Sequence, residues 1–114
     1  MAGPSRRVAV VATAQTTHRR AATELSEVEM IQPVIRSVLD HVGGISSVDF
    51  TVSGSTDYLA GQAFSFVMTL DAVGAWPPIQ ESHVEMDGAW ALYEAWLKIQ
   101  SGHADSALVY GYSK

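Results

Sequence analysis

The sequence predicts an α/β fold built on a mainly parallel β-sheet with helices on both of its faces. Short apolar runs typical of strands alternate along the chain with longer segments in which apolar residues recur at helical spacing. The connections between these segments are short, and glycines follow the helical ones. Strands that are joined through helices by short right-handed crossovers lie parallel in one sheet.

The composition is typical of one modest globular domain, which we take to span residues 1–114. Hydrophobic residues make up 47% of the 114 residues and charged residues 17%, which is enough apolar surface for one core. The absence of cysteine excludes disulfides, thiolate metal sites and a cysteine nucleophile. The formal net charge of -5 argues against nucleic acid as a partner, since nucleic-acid binding needs a basic surface. No apolar run is long enough to span a membrane, and we expect a cytoplasmic protein.

The first predicted strand covers residues 7–14, a run that is rich in valine and alanine. We interpret the run as a strand buried in the sheet. It also resembles a short signal peptide with Ala12-Thr13-Ala14 as the cleavage site, so export is the alternative interpretation. The run is short for such a peptide and contains no leucine. Residues 15–25 are polar and predict a loop.

A helix is predicted next, beginning at a capping box formed by Ser26 and Glu29. Apolar residues then recur at helical spacing until Gly43-Gly44 ends the helix. Pro33 interrupts this pattern, and it either kinks the helix or marks its true first turn.

Two further strands and a second helix are predicted in the middle of the chain. Apolar and polar residues alternate over residues 48–54, which form the second strand. The second helix covers residues 58–73, although Gly61 weakens its first part by about 1 kcal/mol relative to alanine. The third strand covers residues 77–84, where Pro77-Pro78 is tolerated only at the start.

The last third of the chain predicts a tight turn, a helix and a fourth strand. Asp87 is expected to cap the helix by accepting hydrogen bonds from the first amides, and Gly102 to end it as a left-handed residue. Residues 107–110 form the fourth strand. Apolar residues at helical spacing are expected to face the core, and polar ones the solvent. The inward set is Ala89, Leu92, Tyr93, Trp96, Leu97 and Ile99, and the outward set is Glu94, Lys98 and Gln100.

The tryptophans suggest either core packing or contact with an acyl chain. Trp96 fits the predicted apolar face, and we interpret it as a core residue. Trp90 falls away from that face and is expected to contact a partner subunit.

This last third resembles the nucleophile turn, the following helix and the next strand of the thiolase superfamily, in particular its sterol-carrier or lipid-transfer type. The matching residues are Gly88, Ala91-Leu92, Ala95, Ile99, Ser101-Gly102, Asp105, Leu108 and Gly111. Thiolases carry Cys-Ala-Ser-Gly or Cys-Ala-Thr-Gly at the turn. This chain has Glu85-Met86-Asp87-Gly88, which places Glu85 at the cysteine position. Looser matches in residues 49–54 and at Gly61-Gln62 extend the resemblance over nearly the whole chain.

The resemblance implies the N-terminal part of a thiolase-like fold, in which two similar halves pack as αβαβα layers. It implies an acyl-CoA substrate, acyl transfer of the acetyl-CoA acetyltransferase type, and no cofactor. The matched part is well under half of a thiolase and lacks the second half, which carries the family's catalytic histidines and its acid/base residue. We therefore expect a fragment or subunit of a lipid-transfer-type thiolase that is inactive alone.

Two alternatives stay open. One is a non-catalytic assembly module that supplies a sheet and a dimer surface to another chain. The other is part of a cysteine-less carbon–carbon lyase, since family members without the cysteine act in steroid side-chain breakdown with an OB-fold, zinc-ribbon partner.

Glu85 and His83 are the candidate catalytic residues. Glu85 is either a helix-capping residue together with Asp87, or a base or electrostatic group in a divergent site. His83 lies two residues before Glu85 and points the same way if the strand continues, so the pair is able to transfer a proton. The alternative for His83 is a polar loop histidine. No metal site is predicted, because the spacing of His83 to His18 and His103 is not typical of metal ligands.

The third predicted strand is a candidate interface. In thiolases this strand pairs with its twin across the dimer two-fold axis, and an unpaired edge strand promotes association. We therefore expect a homodimer or hetero-oligomer rather than a monomer. The interface residues implied by the resemblance are Ile79, Gln80, Glu81, Ser82 and Val84.

Overall fold

The computed structural model describes residues 7–17, 27–55, 73 and 80–112. Within these ranges the strands form one parallel sheet in the order β2-β1-β3, which confirms the predicted α/β class. Most of the predicted helix 58–73, the capping residue Ser26 and the start of the third predicted strand lie outside the described residues. The elements are α1 (Glu27–Val42), a short 3-10 turn (Ile45–Ser47), β1 (Phe50–Gly54), β2 (Gln80–Val84), α2 (Gly88–Gln100) and β3 (Ala107–Gly111).

Helices α1 and α2 lie on opposite faces of the sheet. Leu108 and Tyr110 of β3 pack in one hydrophobic cluster with α1, whereas Ala107 and Val109 pack in a second cluster with α2. Successive strand residues point to opposite faces, so the two clusters are separated by the sheet. The first cluster includes Ile31, Ile35, Leu39, Val48 and Val73, and the second includes Phe50, Val52, Ala91, Ala95 and Ala104.

The central strand β1 is buried along its whole length. The alternation of apolar and polar residues in its sequence is typical of a strand with one wet face, yet Thr51 and Ser53 are only 3% and 2% exposed. The reason is that β1 is covered on both faces, with α2 packed on the face that carries Phe50 and Val52. Two hydroxyl side chains are therefore buried in the centre of the domain.

The predicted end of the first helix is confirmed. Gly43 and Gly44 have positive φ angles of 94° and 100°, and the Gly44 amide donates to the Leu39 carbonyl at 2.7 Å. A left-handed residue in this position favours glycine, which has no side chain to strain the backbone. Pro33 lies inside α1, so the alternative that it marks the first turn is wrong.

The predicted first strand is wrong. Residues 7–17 contain no helix or strand, and Val10 and Val11 are 69% and 71% exposed. An isolated strand has no ladder of hydrogen bonds and no surface to cover its side chains. In the described sheet β1 has neighbours on both sides, and residues 7–17 pair with neither of the outer strands. Apolar composition alone therefore does not place this segment in the sheet.

The buried face of α2 is not the face that the sequence pattern predicted. Ala91 and Ala95 face the sheet, with exposed fractions of 0% and 3%, whereas Trp96 is 44% exposed and is not a core residue. Glu94, Lys98 and Gln100, which were expected in solvent, are half-buried. The exposed side chains are Ala89, Trp90, Leu92, Tyr93, Trp96 and Leu97.

Close packing of backbone against backbone explains this inversion. A Cβ atom on Gly54, at the end of β1, would lie 2.1 Å from the backbone oxygen of Asp87, and one on Gly111, at the end of β3, would lie 3.1 Å from the Gly88 Cα. The first turn of α2 therefore rests directly on the ends of two strands. Only small side chains such as that of Ala91 fit into so narrow a space, and the bulky residues are directed away from the sheet.

Candidate functional site

The carboxyl ends of the three parallel strands meet at one edge of the sheet. Ser53 of β1 pairs in register with His83 of β2 and with Tyr110 of β3. The chain runs from β1 outward to β2 and then crosses to β3 on the other side of β1, so the strand order reverses at β1. Open α/β sheets bind ligands outside the carboxyl ends of their strands at such a reversal.

Three polar side chains form a hydrogen-bonded chain at this edge. The Ser53 Oγ lies 2.8 Å from His83 Nδ1, and His83 Nε2 lies 3.2 Å from Glu85 Oε2. Ser53 is 2% exposed, whereas the side chains of His83 and Glu85 are 12% and 51% exposed. The hydrogen bonds thus lead from a buried hydroxyl to a carboxylate at the surface. They bring the two predicted site residues into direct contact.

His83 belongs to strand β2, so its interpretation as a polar loop residue is wrong. The pairing of β2 with β1 places its side chain beside Ser53 on the α1 face of the sheet. Glu85 follows the strand end, and its carboxylate approaches the outer nitrogen of the same ring.

Asp87 caps helix α2, as predicted. Its Oδ1 accepts hydrogen bonds from the backbone amides of Ala89 at 3.0 Å and Trp90 at 3.1 Å. An oxyanion hole needs amide donors directed at the reacting oxygen, and these two amides are directed at a carboxylate of the chain itself. The start of α2 therefore carries a carboxylate cap beside Glu85, which disfavours an anionic intermediate there.

The end of α2 is also as predicted. Gly102 has a φ angle of 80°, and its amide donates to the Ile99 carbonyl at 3.1 Å. The His103 amide donates to the Lys98 carbonyl at 3.0 Å, which completes a Schellman motif. Helix α2 is thus capped by hydrogen bonds at both ends.

A second surface lies on the side of α2 opposite the sheet, and we call it the aromatic face. Trp90 and Tyr93 meet edge to face with ring centroids 6.2 Å apart, and Tyr93 stacks on Trp96 at 6.0 Å. An open depression is lined by Ala89, Trp90 and Tyr93. Contiguous exposed apolar side chains of this kind are uncommon on monomeric proteins. The residues of the aromatic face are Trp90, Leu92, Tyr93, Trp96 and Leu97.

The strand predicted as an interface contains β2. Strand β2 is the outer strand on one side of the described sheet, Gln80 and Glu81 are exposed, and Ser82 and Val84 are half-buried. Ile79 lies outside the described residues. The pairing of β2 with a second copy stays a prediction.

Among the residues that the structure describes, no three histidine, aspartate or glutamate side chains converge as metal ligands. Within the same ranges no helix combines the length and apolar character needed to cross a membrane.

Ser53 is the site residue that sequence reasoning missed. It lies thirty positions before His83, and a serine in an alternating strand is typical of a wet face. Only the parallel register of β1 with β2 brings the two side chains together. Aligning the second and third predicted strands as parallel neighbours would have placed Ser53 beside His83.

Comparison with protein-family models, with curated proteins and with solved structures gave no match. The resemblance to thiolases therefore stays a prediction. It rests on the residues of the turn, of α2 and of β3.

Proposed function

We propose that the chain is one α/β half of a lipid-transfer-type, thiolase-like layered assembly, and that a second half covers the aromatic face of α2. The observation that carries the proposal is the apolar surface on the side of α2 that faces away from its own sheet, where Trp90, Tyr93 and Trp96 are 44–52% exposed. In an αβαβα arrangement the middle helical layer lies between two sheets, so its helices need apolar residues on both faces. Helix α2 has alanines on one face and aromatic rings on the other.

By itself the chain is proposed to be inactive in covalent acyl transfer. That chemistry needs an activated nucleophile, and Glu85 occupies the position that the resemblance assigns to the cysteine. The Asp87 carboxylate accepts hydrogen bonds from the amides of Ala89 and Trp90, which would otherwise be able to stabilise a developing negative charge. The role that fits these residues is assembly, with the sheet and α2 as the contribution of this chain.

Size-exclusion chromatography with light scattering tests the assembly proposal on the full chain. In the absence of a second half, the aromatic face is expected to self-associate, so the protein elutes as a dimer or larger species. The double variant Tyr93→Gln/Trp96→Gln is expected to elute as a monomer with an unchanged circular dichroism spectrum, because both side chains are about half exposed. The control is Val10→Ser/Val11→Ser, which removes apolar groups that are even more exposed, 69% and 71%, but lie elsewhere, and it should leave the association intact.

Two results would contradict the role of the aromatic face. The first is a monodisperse monomer for the unmodified protein. The second is association that survives the helix double variant. That second result would favour the edge of β2 as the interface, as the resemblance to thiolase dimers implies.

A second candidate function is part of a cysteine-less carbon–carbon lyase, and the hydrogen bond between His83 and Glu85 favours it. When a carbon–carbon bond beside a hydroxyl group breaks, a base takes the hydroxyl proton and the C–O bond becomes a carbonyl. The electron pair of the broken bond leaves on the other carbon as an enolate, which then takes up a proton, and no acyl-enzyme intermediate is formed. Glu85 is 51% exposed at the carboxyl edge of the sheet, where a substrate hydroxyl is able to reach it. The resemblance implies an OB-fold, zinc-ribbon protein as the partner of such an enzyme.

The test of this candidate is the variant Glu85→Gln in the assembled enzyme. Loss of a general base lowers turnover by a factor of about 10²–10⁴. The mass of the assembly should stay the same, because the side chain keeps its size. Turnover within twofold of the unmodified enzyme would remove Glu85 from the mechanism.

A further inference from the structure

The direction of each hydrogen bond in the chain Ser53–His83–Glu85 follows from the chemistry of its members. An ionised carboxylate only accepts hydrogen bonds, so the proton between His83 and Glu85 belongs to Nε2 of the ring. A neutral imidazole with its proton on Nε2 presents Nδ1 as an acceptor. With the ring in this neutral form, the Ser53 hydroxyl, 2.8 Å from Nδ1, donates to the ring.

We propose that Ser53 is a positioning residue, which holds the His83 ring so that its Nε2–H is directed at Glu85. The serine is suited to this role because it lies in the central strand and is 2% exposed, so its own position is fixed by the sheet. The ring is held from both sides, by a buried donor at Nδ1 and by a surface acceptor at Nε2. A side chain held at two points keeps the geometry that proton transfer needs.

The consequence for Glu85 is a fixed carboxylate at the carboxyl edge of the sheet. One of its oxygens is bound by a ring that is anchored in the core, although the residue itself is half exposed. Together with the carboxylate of Asp87 it makes this edge unsuited to an anion and suited to a ligand with a hydroxyl donor. In naming a ligand the inference rests on the lyase candidate above, whereas the positioning role rests on the geometry alone.

His103 provides an internal reference. Its Nδ1 also lies near a serine hydroxyl, that of Ser101 at 2.6 Å, but this pair is on an exposed turn at the end of α2. His103 therefore shows the effect of a serine contact alone. His83 shows the effect of a buried serine together with a carboxylate on the other ring nitrogen.

Nitrogen-15 NMR of the full chain tests the proposal. We expect the His83 ring to carry its proton on Nε2 and the exchange of this proton with water to be slower than that of the His103 ring. In Ser53→Ala the exchange should accelerate by up to about tenfold, the factor that one neutral hydrogen bond supplies. The His103 ring should not change. Ser53→Thr, which keeps the hydroxyl, should restore the slow exchange, and a purely structural role for the serine volume would not predict that rescue.

A His83 proton on Nδ1 in the unmodified protein would overturn the proposal, even if Ser53→Ala failed to fold. So would exchange of the Nε2 proton at the same rate in Ser53→Ala as in the unmodified chain, with unchanged exchange of the backbone amides of β1. These readouts need no partner or substrate. The positioning role is therefore able to fail while the assembly proposal holds, and the reverse is also true.

Discussion

The two faces of α2 differ in a way that reverses the usual rule for an amphipathic helix. The face against the sheet carries Ala91 and Ala95, which are 0% and 3% exposed, and the face toward solvent carries the aromatic rings. Hydrophobicity does not distinguish the two faces, because both are apolar. The size of the side chains distinguishes the two faces, since the start of the helix contacts the strand ends through backbone atoms at Gly54 and Gly111. Close approach selects the small face, and the large face is left exposed.

The same contrast distinguishes α2 from α1. Helix α1 buries large aliphatic residues, Ile31, Ile35 and Leu39, against the other face of the sheet. Its side chains fill the space between helix and sheet, as in most α/β folds. A helix that packs through alanine and glycine leaves its bulky residues exposed. This exposure supports the proposal that α2 belongs to a helical layer between two sheets.

The largest expected effect comes from removing the close approach at Gly54. A methyl group in Gly54→Ala would lie 2.1 Å from the backbone oxygen of Asp87, so the start of α2 has to move. We expect a loss of about 3 kcal/mol or more in the free energy of unfolding, at the upper end of overpacking effects. Urea denaturation of the full chain measures it.

Gly88→Ala is the matched control for this substitution. A Cβ atom on Gly88 meets nothing within 4 Å, although the residue lies in the same contact. Its stability should stay within about 0.5 kcal/mol of the original or rise slightly, because alanine is the better helix former. Equal losses in the two variants would show that glycine flexibility, and not close packing, is what the site requires.

The sequence predicted the elements of this fold better than their contacts. The Asp87 cap and the left-handed Gly102 were predictable because each depends on a local signal. The parallel strands were predictable because strands and helices alternate along the chain. The buried face of α2 was not, since helical spacing defines an apolar stripe but does not say whether a sheet or a partner covers it. The strand predicted over residues 7–14 failed for a related reason, as pairing is a property of its neighbours.

The candidate site shows the same division. Glu85 and His83 were predictable as a pair from their separation by two residues at a strand end, and the structure places them 3.2 Å apart. Ser53 was not predictable, because it joins them only through the register of β1 with β2. Local chemistry is thus visible in the sequence, whereas a residue that acts through tertiary pairing becomes visible only in the fold.

The smaller expected effect sharpens the comparison of the two faces directly. Ala91→Leu adds a bulky side chain to a position that is 0% exposed, and Ala89→Leu adds the same group to an exposed position two residues earlier. We expect Ala91→Leu to lower the free energy of unfolding by about 1–3 kcal/mol, because the added carbons meet a closely packed sheet. Ala89→Leu should change it by less than about 0.5 kcal/mol. Thermal and urea unfolding of both variants measure the difference, and a similar response would mean that the helix is able to turn its large face to the sheet. In that case the aromatic residues would be able to pack against the sheet of the chain itself, and their exposure would no longer indicate a second half that covers them.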